Sequence, residues 1–270
     1  MPVVELSYYT DPACPWSWAL EPALRRLMNE FGDSLQITYL MCGMAREFGD
    51  PVKLIEESLA AAEQSGMPVD ARLWIESPPR SSHPACIAVK AAAEQGEPAA
   101  YLRRLREGFL CRRRKLDSAE ALLDEARATG GLDLERFRID LRSHAVLEAF
   151  GADLDRARRV PEEHRAPGSK RPELPSLEFH DPAGATVGVY GFASYDELRD
   201  AALAAGARPT RQEAAGIEEA LRRFGSLATP EVAAVCQLPG PRAPAELWRL
   251  ATEWRVKSER LGSGELWSLA

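Results

Sequence analysis

The chain opens on a short apolar run, Val3 to Tyr9, whose valines and tyrosines predict a β-strand. Leu20, Leu24, Leu27 and Met28 then recur at helical spacing and predict a helix over residues 15–31, stopped by Gly32-Asp33. Leu35–Met41 alternates and predicts a second strand. A strand–helix–strand unit of this kind should be parallel and right-handed.

Residues 51–160 carry helical patterning with no strand signal. Pro51–Gln64, Pro84–Gln95, Pro98–Arg112, Ser118–Thr129 and Leu134–Leu141 are the expected helices. Ser143–Arg159 follows, with a break expected near Gly151. The block reads as a helical insertion into a sheet domain. Residues 161–173 are rich in Pro, Gly and charge and form a connection. Pro175–Asp181 and Thr186–Tyr190 predict a hairpin around Asp181-Pro-Ala-Gly184, and Ser194–Ala205 a closing helix. Gly206-Ala-Arg-Pro209 marks a boundary, so the expected division is 1–206 and 207–270. In the second part, Thr210–Phe224, Thr229–Cys236 and Pro244–Glu253 predict helices. Arg255–Arg260 and Glu265–Leu269 predict a terminal hairpin around Gly262-Ser-Gly264. Three helices and a hairpin in that order resemble a small winged-helix-like module.

Composition narrows the picture. The 270 residues are 45% hydrophobic and 28% charged, ordinary for a globular chain with a large core. The net charge of −7 argues against general nucleic-acid binding. From Arg208 to Ala270 there are nine basic and eight acidic residues, too balanced for a phosphate-reading wing. No run approaches the length of a membrane span, and Met1-Pro-Val-Val-Glu-Leu enters a strand without a basic or long apolar leader. The expectation is a cytoplasmic protein without membrane or nucleic-acid partners. Five cysteines, at 14, 42, 86, 111 and 236, lack metal-ligand spacing, so no metal site is expected. In a reducing compartment they would be thiols.

The chemistry concentrates in Asp11-Pro12-Ala13-Cys14-Pro15-Trp16-Ser17-Trp18, between the first strand and its helix. A cysteine at a helix start meets unpaired N–H groups and the positive end of the macrodipole. Both favour a thiolate, so Cys14 is the candidate nucleophile, with a pKa expected below that of a free thiol. Pro15 suits the first helical position, where its missing N–H is not needed. Ser17 stands where a dithiol redox site would carry its second cysteine. A hydroxyl cannot resolve a mixed disulfide at neutral pH, so such a bond at Cys14 would wait for another thiol. Ser17 can still hydrogen-bond the Cys14 thiolate and lower its pKa. Cys42 ends the second strand at the sheet edge where Cys14 sits, and is the candidate resolving thiol. Its plain reading is a small buried residue before Gly43. Cys86, after Ser82-His83-Pro84, would share the crevice if the insertion caps it. Trp16 is a candidate substrate contact, and Trp18 is as readily core.

The strand, turn cysteine and helix resemble the thioredoxin superfamily. The longer run Tyr9-Thr-Asp-Pro-Ala-Cys-Pro-Trp-Ser-Trp-Ala-Leu-Glu-Pro22 is similar to its DsbA/FrnE-type branch. Ser82–Ala91 and Tyr101–Phe109 resemble that branch's helical insertion, and Glu173–Phe179 the strand bearing its cis-proline. The resemblance covers about residues 3–205. It implies an α/β thioredoxin-like fold with a helical insertion, here followed by the winged-helix-like extension. It also implies a cis Leu174–Pro175 bond facing the nucleophile, so that Pro15, Trp16, Leu174 and Pro175 would line a substrate groove.

Three functions follow from the resemblance. The first is a monothiol thiol-disulfide oxidoreductase or disulfide isomerase acting through Cys14 on protein or glutathione disulfides. It would hold no tight cofactor, with glutathione as a candidate co-substrate. The second is a glutathione-dependent isomerase or transferase, similar to the kappa-class and hydroxychromene carboxylate isomerase branch, where the position of Cys14 is typically serine. The third is a non-catalytic protease adaptor that binds a client, because the Asp-Pro…Cys…Trp-Ala-Leu-Glu-Pro pattern is similar to that of such adaptors.

Overall fold

The computed structural model describes residues 3–211 and 213–270. The first strand, β1 (Val4–Thr10), is buried along nearly its whole length, as suits a central strand of valine, leucine and tyrosine. The helix predicted over 15–31 is divided into α1 (Pro15–Ala19) and α2 (Glu21–Phe31). The cause is Pro22. It has no N–H for the ladder, and its ring would meet the carbonyl four residues back, at Trp18. β2 (Leu35–Met41) runs parallel to β1, pairing Tyr39 with Tyr8 and Met41 with Thr10.

The chain then leaves the sheet for helices α3 (Pro51–Ser65), α4 (Leu73–Glu76), α5 (His83–Ala93), α6 (Ala99–Leu110), α7 (Ala119–Thr129), α8 (Leu134–Asp140) and α9 (His144–Ala157). α4 is a single turn that the residue pattern does not announce. α9 runs through Gly151 without the expected break. Its buried residues Val146, Phe150, Asp153 and Ala157 keep a 4-3-4 spacing across the glycine, so packing holds the helix together.

β3 (Ser176–His180) returns antiparallel to β1, and β4 (Thr186–Tyr190) pairs antiparallel with β3. The sheet order is β2-β1-β3-β4. β3 begins one residue later than predicted, because Pro175 cannot donate to the ladder. α10 (Tyr195–Ala204) closes this part with a capping box from Ser194 and Glu197. The fold is the expected α/β thioredoxin-like sheet interrupted by helices. Its interior holds Leu6, Tyr8, Leu27, Phe31 and Phe179 from the sheet and α2, together with Tyr101, Leu105 and Phe109 from α6. Each fully buried leucine or phenylalanine here contributes about 1.5–3 kcal/mol.

The remaining elements are α11 (Ile217–Phe224), β5 (Leu227–Ala228), α12 (Thr229–Val235), α13 (Arg242–Thr252), β6 (Val256–Leu261) and β7 (Gly264–Leu269). α11 starts at Ile217, not at Thr210. The N–H groups of Thr210 and Arg211 donate to the carbonyl of Glu30 instead, and Gly216 is extended; Gln212 lies outside the described residues. The two-residue β5 joins the terminal hairpin in a second sheet of order β5-β7-β6. A separate apolar cluster of Leu227, Val232, Val235, Leu247 and Trp267 lies under it.

Buried charge ties this second cluster to the first. Glu231 of α12 is fully buried and pairs with Arg103 of α6 at 2.6 Å. Arg103 also reaches Glu21 of α2 and Glu107 of its own helix, and Arg106 pairs with Glu21. Burial disfavours the Glu21 carboxylate, but Arg25, Arg106 and Arg103 overcome it and hold its pKa well below the usual range. Arg103 also lies 4.3 Å over the Trp18 ring.

Candidate thiol site

β1 ends by delivering Asp11-Pro-Ala-Cys14 to the sheet edge, where Cys14 caps α1 with extended backbone. Its sulfur accepts the Ser17 N–H at 3.4 Å, and Pro15 occupies the first helical position. The Leu174–Pro175 bond is cis. It brings the Leu174 carbonyl oxygen 4.0 Å from the Cys14 sulfur. Cys14, Pro15, Ser17, Leu174 and Pro175 are thus gathered at one place.

The site is closed. Cys14 is 2% exposed and Ser17 fully buried. Cys14 belongs to one apolar cluster with Tyr9, Leu40, Cys42 and Leu174, joined by Ala157 and Val160 from the end of α9 and the residues after it. Trp16 is half-buried and packs on Phe192 at 5.5 Å. Trp18 is core, its indole N–H donating to the Pro68 carbonyl at 2.9 Å.

Burial corrects one expectation. The Cys14 thiol is raised above its ordinary value, not lowered. Desolvation is the largest cause, the Ser17 hydroxyl and N–H pull the other way, and Asp11 adds to the rise while Arg171 opposes it. A one-turn helix start does not outweigh removal of the thiolate from water. Cys42 lies in the same cluster, but its thiol turns to the Leu40 carbonyl at 3.6 Å. Burial, then Asp11, push it well above the ordinary value. All five cysteines are free thiols.

Asp11 is the organiser that sequence reading passed over. It is fully buried, and accepts from the N–H groups of Ala13 and Met44 and from the Ser82 hydroxyl. The Cys86 thiol donates to it at 3.2 Å, which ties α5 of the insertion to the Asp11 loop. Burial and Asp11 raise that thiol strongly. His83 packs edge-on against Phe150. The position of Asp11 inside the cysteine motif was the available signal.

A sequence profile described as Thioredoxin matches residues 8–166. The chain belongs to the thioredoxin family. Within that family its architecture is DsbA-like. It is similar, at 22% identity and a TM-score of 0.55, to the cytosolic disulfide reductase DsbM of Pseudomonas aeruginosa, over 68% of this chain and 88% of that one. It is similar at 17% identity and a TM-score of 0.57 to a probable DsbA oxidoreductase of Streptomyces coelicolor, over 80% and 94% of the two chains. These likenesses concern the fold. Along the sequence it is 28% identical to the ClpXP adapter protein SpxH of Halalkalibacterium halodurans, over 98% of this thioredoxin-family chain and 88% of that protein. Among the described residues, no helix is long and apolar enough to cross a membrane.

Proposed function

We propose that this chain is a thioredoxin-fold adaptor that binds a client protein and presents it to a ClpXP-type protease. The observation that carries the reading is the closed Cys-Pro-Trp-Ser site: Cys14 is 2% exposed with a raised pKa, and a fully buried serine fills position 17. A turnover enzyme of this fold needs an accessible thiolate and a way to release the mixed disulfide. The likeness to an adapter protein along nearly the whole chain supports the same reading, residues 207–270 included. In this reading those residues form a second module for partner contact, the chain works in the cytoplasm, and glutathione is not a cofactor.

The test is a degradation assay. Purified protein, ClpXP and ATP are added to a cell lysate, and protein half-lives are followed by quantitative mass spectrometry. At least one protein should disappear faster with the adaptor than without it, and Cys14→Ser should retain the effect. Unchanged half-lives throughout, with Cys14-dependent steady turnover of a glutathione-disulfide peptide, would overturn the reading.

A second reading keeps monothiol disulfide exchange or isomerisation at Cys14. The specific observation in its favour is the cis Leu174–Pro175 bond beside a helix-capping thiol. Release would then require an external thiol such as glutathione, since the Cys42 thiol is directed at Leu40. The peptide-turnover arm of the same assay decides between them.

A further inference from the structure

α6 carries charged side chains into the interior. Arg106 is 1% exposed, and its guanidinium pairs with Glu21. The same guanidinium donates to the Thr10 hydroxyl at the end of β1 and, at 3.3 Å, to the Tyr8 hydroxyl. The Thr10 hydroxyl lies 2.9 Å from the Ser17 hydroxyl, and the Tyr8 hydroxyl reaches the Ser17 carbonyl at 3.5 Å.

The proton order is set by chemistry. A guanidinium has donors only. Thr10 therefore accepts from Arg106 and sends its one proton to Ser17. Ser17 keeps its own proton; its N–H reaches the Cys14 sulfur at 3.4 Å, and both its hydroxyl and its N–H favour the thiolate. The donors from Arg106 to Thr10 and from Thr10 to Ser17 point one way, from a guanidinium whose charge is shared with Glu21 toward the turn that holds the sulfur. A buried chain of that polarity strengthens each bond and favours negative charge at its end.

We propose that Arg106 and Thr10 are positioning residues for the Cys14 thiol, acting through Ser17. Position 17 then serves as the last link of a hydrogen-bond chain that stabilises a Cys14 thiolate and offsets part of the burial. The inference goes beyond the adaptor reading and does not depend on it, because it concerns the ionisation of one thiol. The other groups facing Cys14 are Asp11 from its own loop, Arg171 from the loop before β3, Tyr8 from β1 and Cys42 from the end of β2. Asp11 opposes the thiolate and Arg171 favours it.

The experiment is alkylation of the full chain by iodoacetamide against pH, read peptide by peptide by mass spectrometry, so that no other cysteine need be replaced. Thr10→Val removes the hydroxyl and keeps the shape; it should move the Cys14 midpoint up by roughly half a unit to one unit. Thr10→Ser should restore the wild-type midpoint. Ser17→Ala should shift it at least as far as Thr10→Val. The double variant should go no further than Ser17→Ala, because the two links act in series. If Thr10→Val fails to fold, Thr10→Ala removes the same hydroxyl with less bulk and carries the same expectation. Shifts that add in the double variant, or a Thr10 variant superimposable on wild type, would overturn the proposal.

Discussion

The sulfur of Cys14 lies 4.0 Å from the carbonyl oxygen of Leu174, 160 residues along the chain. The contact joins the helix-capping thiol to the peptide bond before Pro175, and Cys14 and Leu174 share one apolar cluster with Ala157 and Val160. With Cys14 2% and Leu174 6% exposed, a peptide partner that paired with Leu174 would meet the sulfur only after local rearrangement. From this arrangement follow expectations that ordinary measurements can check.

Cys14 should be a sluggish thiol. Its folded pKa lies above the ordinary value, so it remains protonated through neutral pH and gains reactivity only as pH rises past about 8.5, the value of a free thiol. In wild-type protein, alkylation of Cys14 should reach its midpoint above that pH, whereas in urea it should return to it. A native midpoint near neutrality would show that the closed site opens in solution.

Ser17→Cys should place two thiols in the first turn of one helix. Oxidation should close a disulfide between Cys14 and the new thiol at position 17 with little backbone movement, and insulin reduction should rise above wild type. The reduced variant should also lose about 1 kcal/mol of stability, because the Thr10 hydroxyl exchanges a hydroxyl acceptor for a weak sulfur one. No gain in insulin reduction, with the disulfide formed, would mean that cover of the site limits turnover.

Glu231→Ala should destabilise the chain by about 3–5 kcal/mol, because it leaves Arg103 buried without its bidentate partner. The same carboxylate accepts the Ala228 N–H at 2.6 Å, so the start of α12 loses a cap as well. Urea unfolding followed by Trp fluorescence would show the loss as a lower midpoint. A change of less than about 1 kcal/mol would mean that the charge cluster does not hold α12 to α6.

Acid should loosen the same cluster. The Glu21 pKa is depressed in the folded chain, so its contribution is fully present above the unfolded value of about 4.3 and is lost as pH falls toward the lower folded one. Glu21→Gln should lower stability at neutral pH and flatten the acid limb of a plot of unfolding free energy against pH. An acid limb identical to wild type would assign that limb to other carboxylates.

Gly262 sits at the tip of the β6–β7 hairpin with φ +54°, against the Val69 carbonyl of the insertion. Gly262→Ala combines a left-handed backbone with a Cβ driven into that carbonyl, and should cost at least about 1–3 kcal/mol. The Ser263 N–H bond to the Val69 carbonyl and the Val69 N–H bond to the Ser263 hydroxyl should open with it. Faster amide exchange at Val69 and Ser263 would report the event; unchanged protection there would mean that the tip accommodates the methyl.

Local pattern determined much of this molecule. The strand Val4–Thr10, the thiol at the head of a helix, the helical block after Met41 and the hairpin before Tyr190 all rest on short-range periodicity and turn chemistry. Those forces act within a few residues, so one chain suffices to read them. The cis bond at Leu174 came from likeness to a family, since no local rule selects it over trans.

Tertiary structure decided the rest. Helix-start electrostatics pointed to an acidic Cys14, but desolvation depends on what covers the sulfur, and Ala157, Val160 and Leu174 arrive from far along the chain. Thr210 to Gly216 were expected to be helical, yet Glu30 takes the N–H groups of Thr210 and Arg211 and the helix waits until Ile217. Arg106 reads as one polar residue on an amphipathic helix. Only the packing of α6 against β1 and α2 turns it inward, onto Glu21 and Thr10, within reach of Ser17 and so of Cys14. Burial and long-range pairing are properties of the assembled fold, which is why the acidity of the thiol could not be read from its own segment.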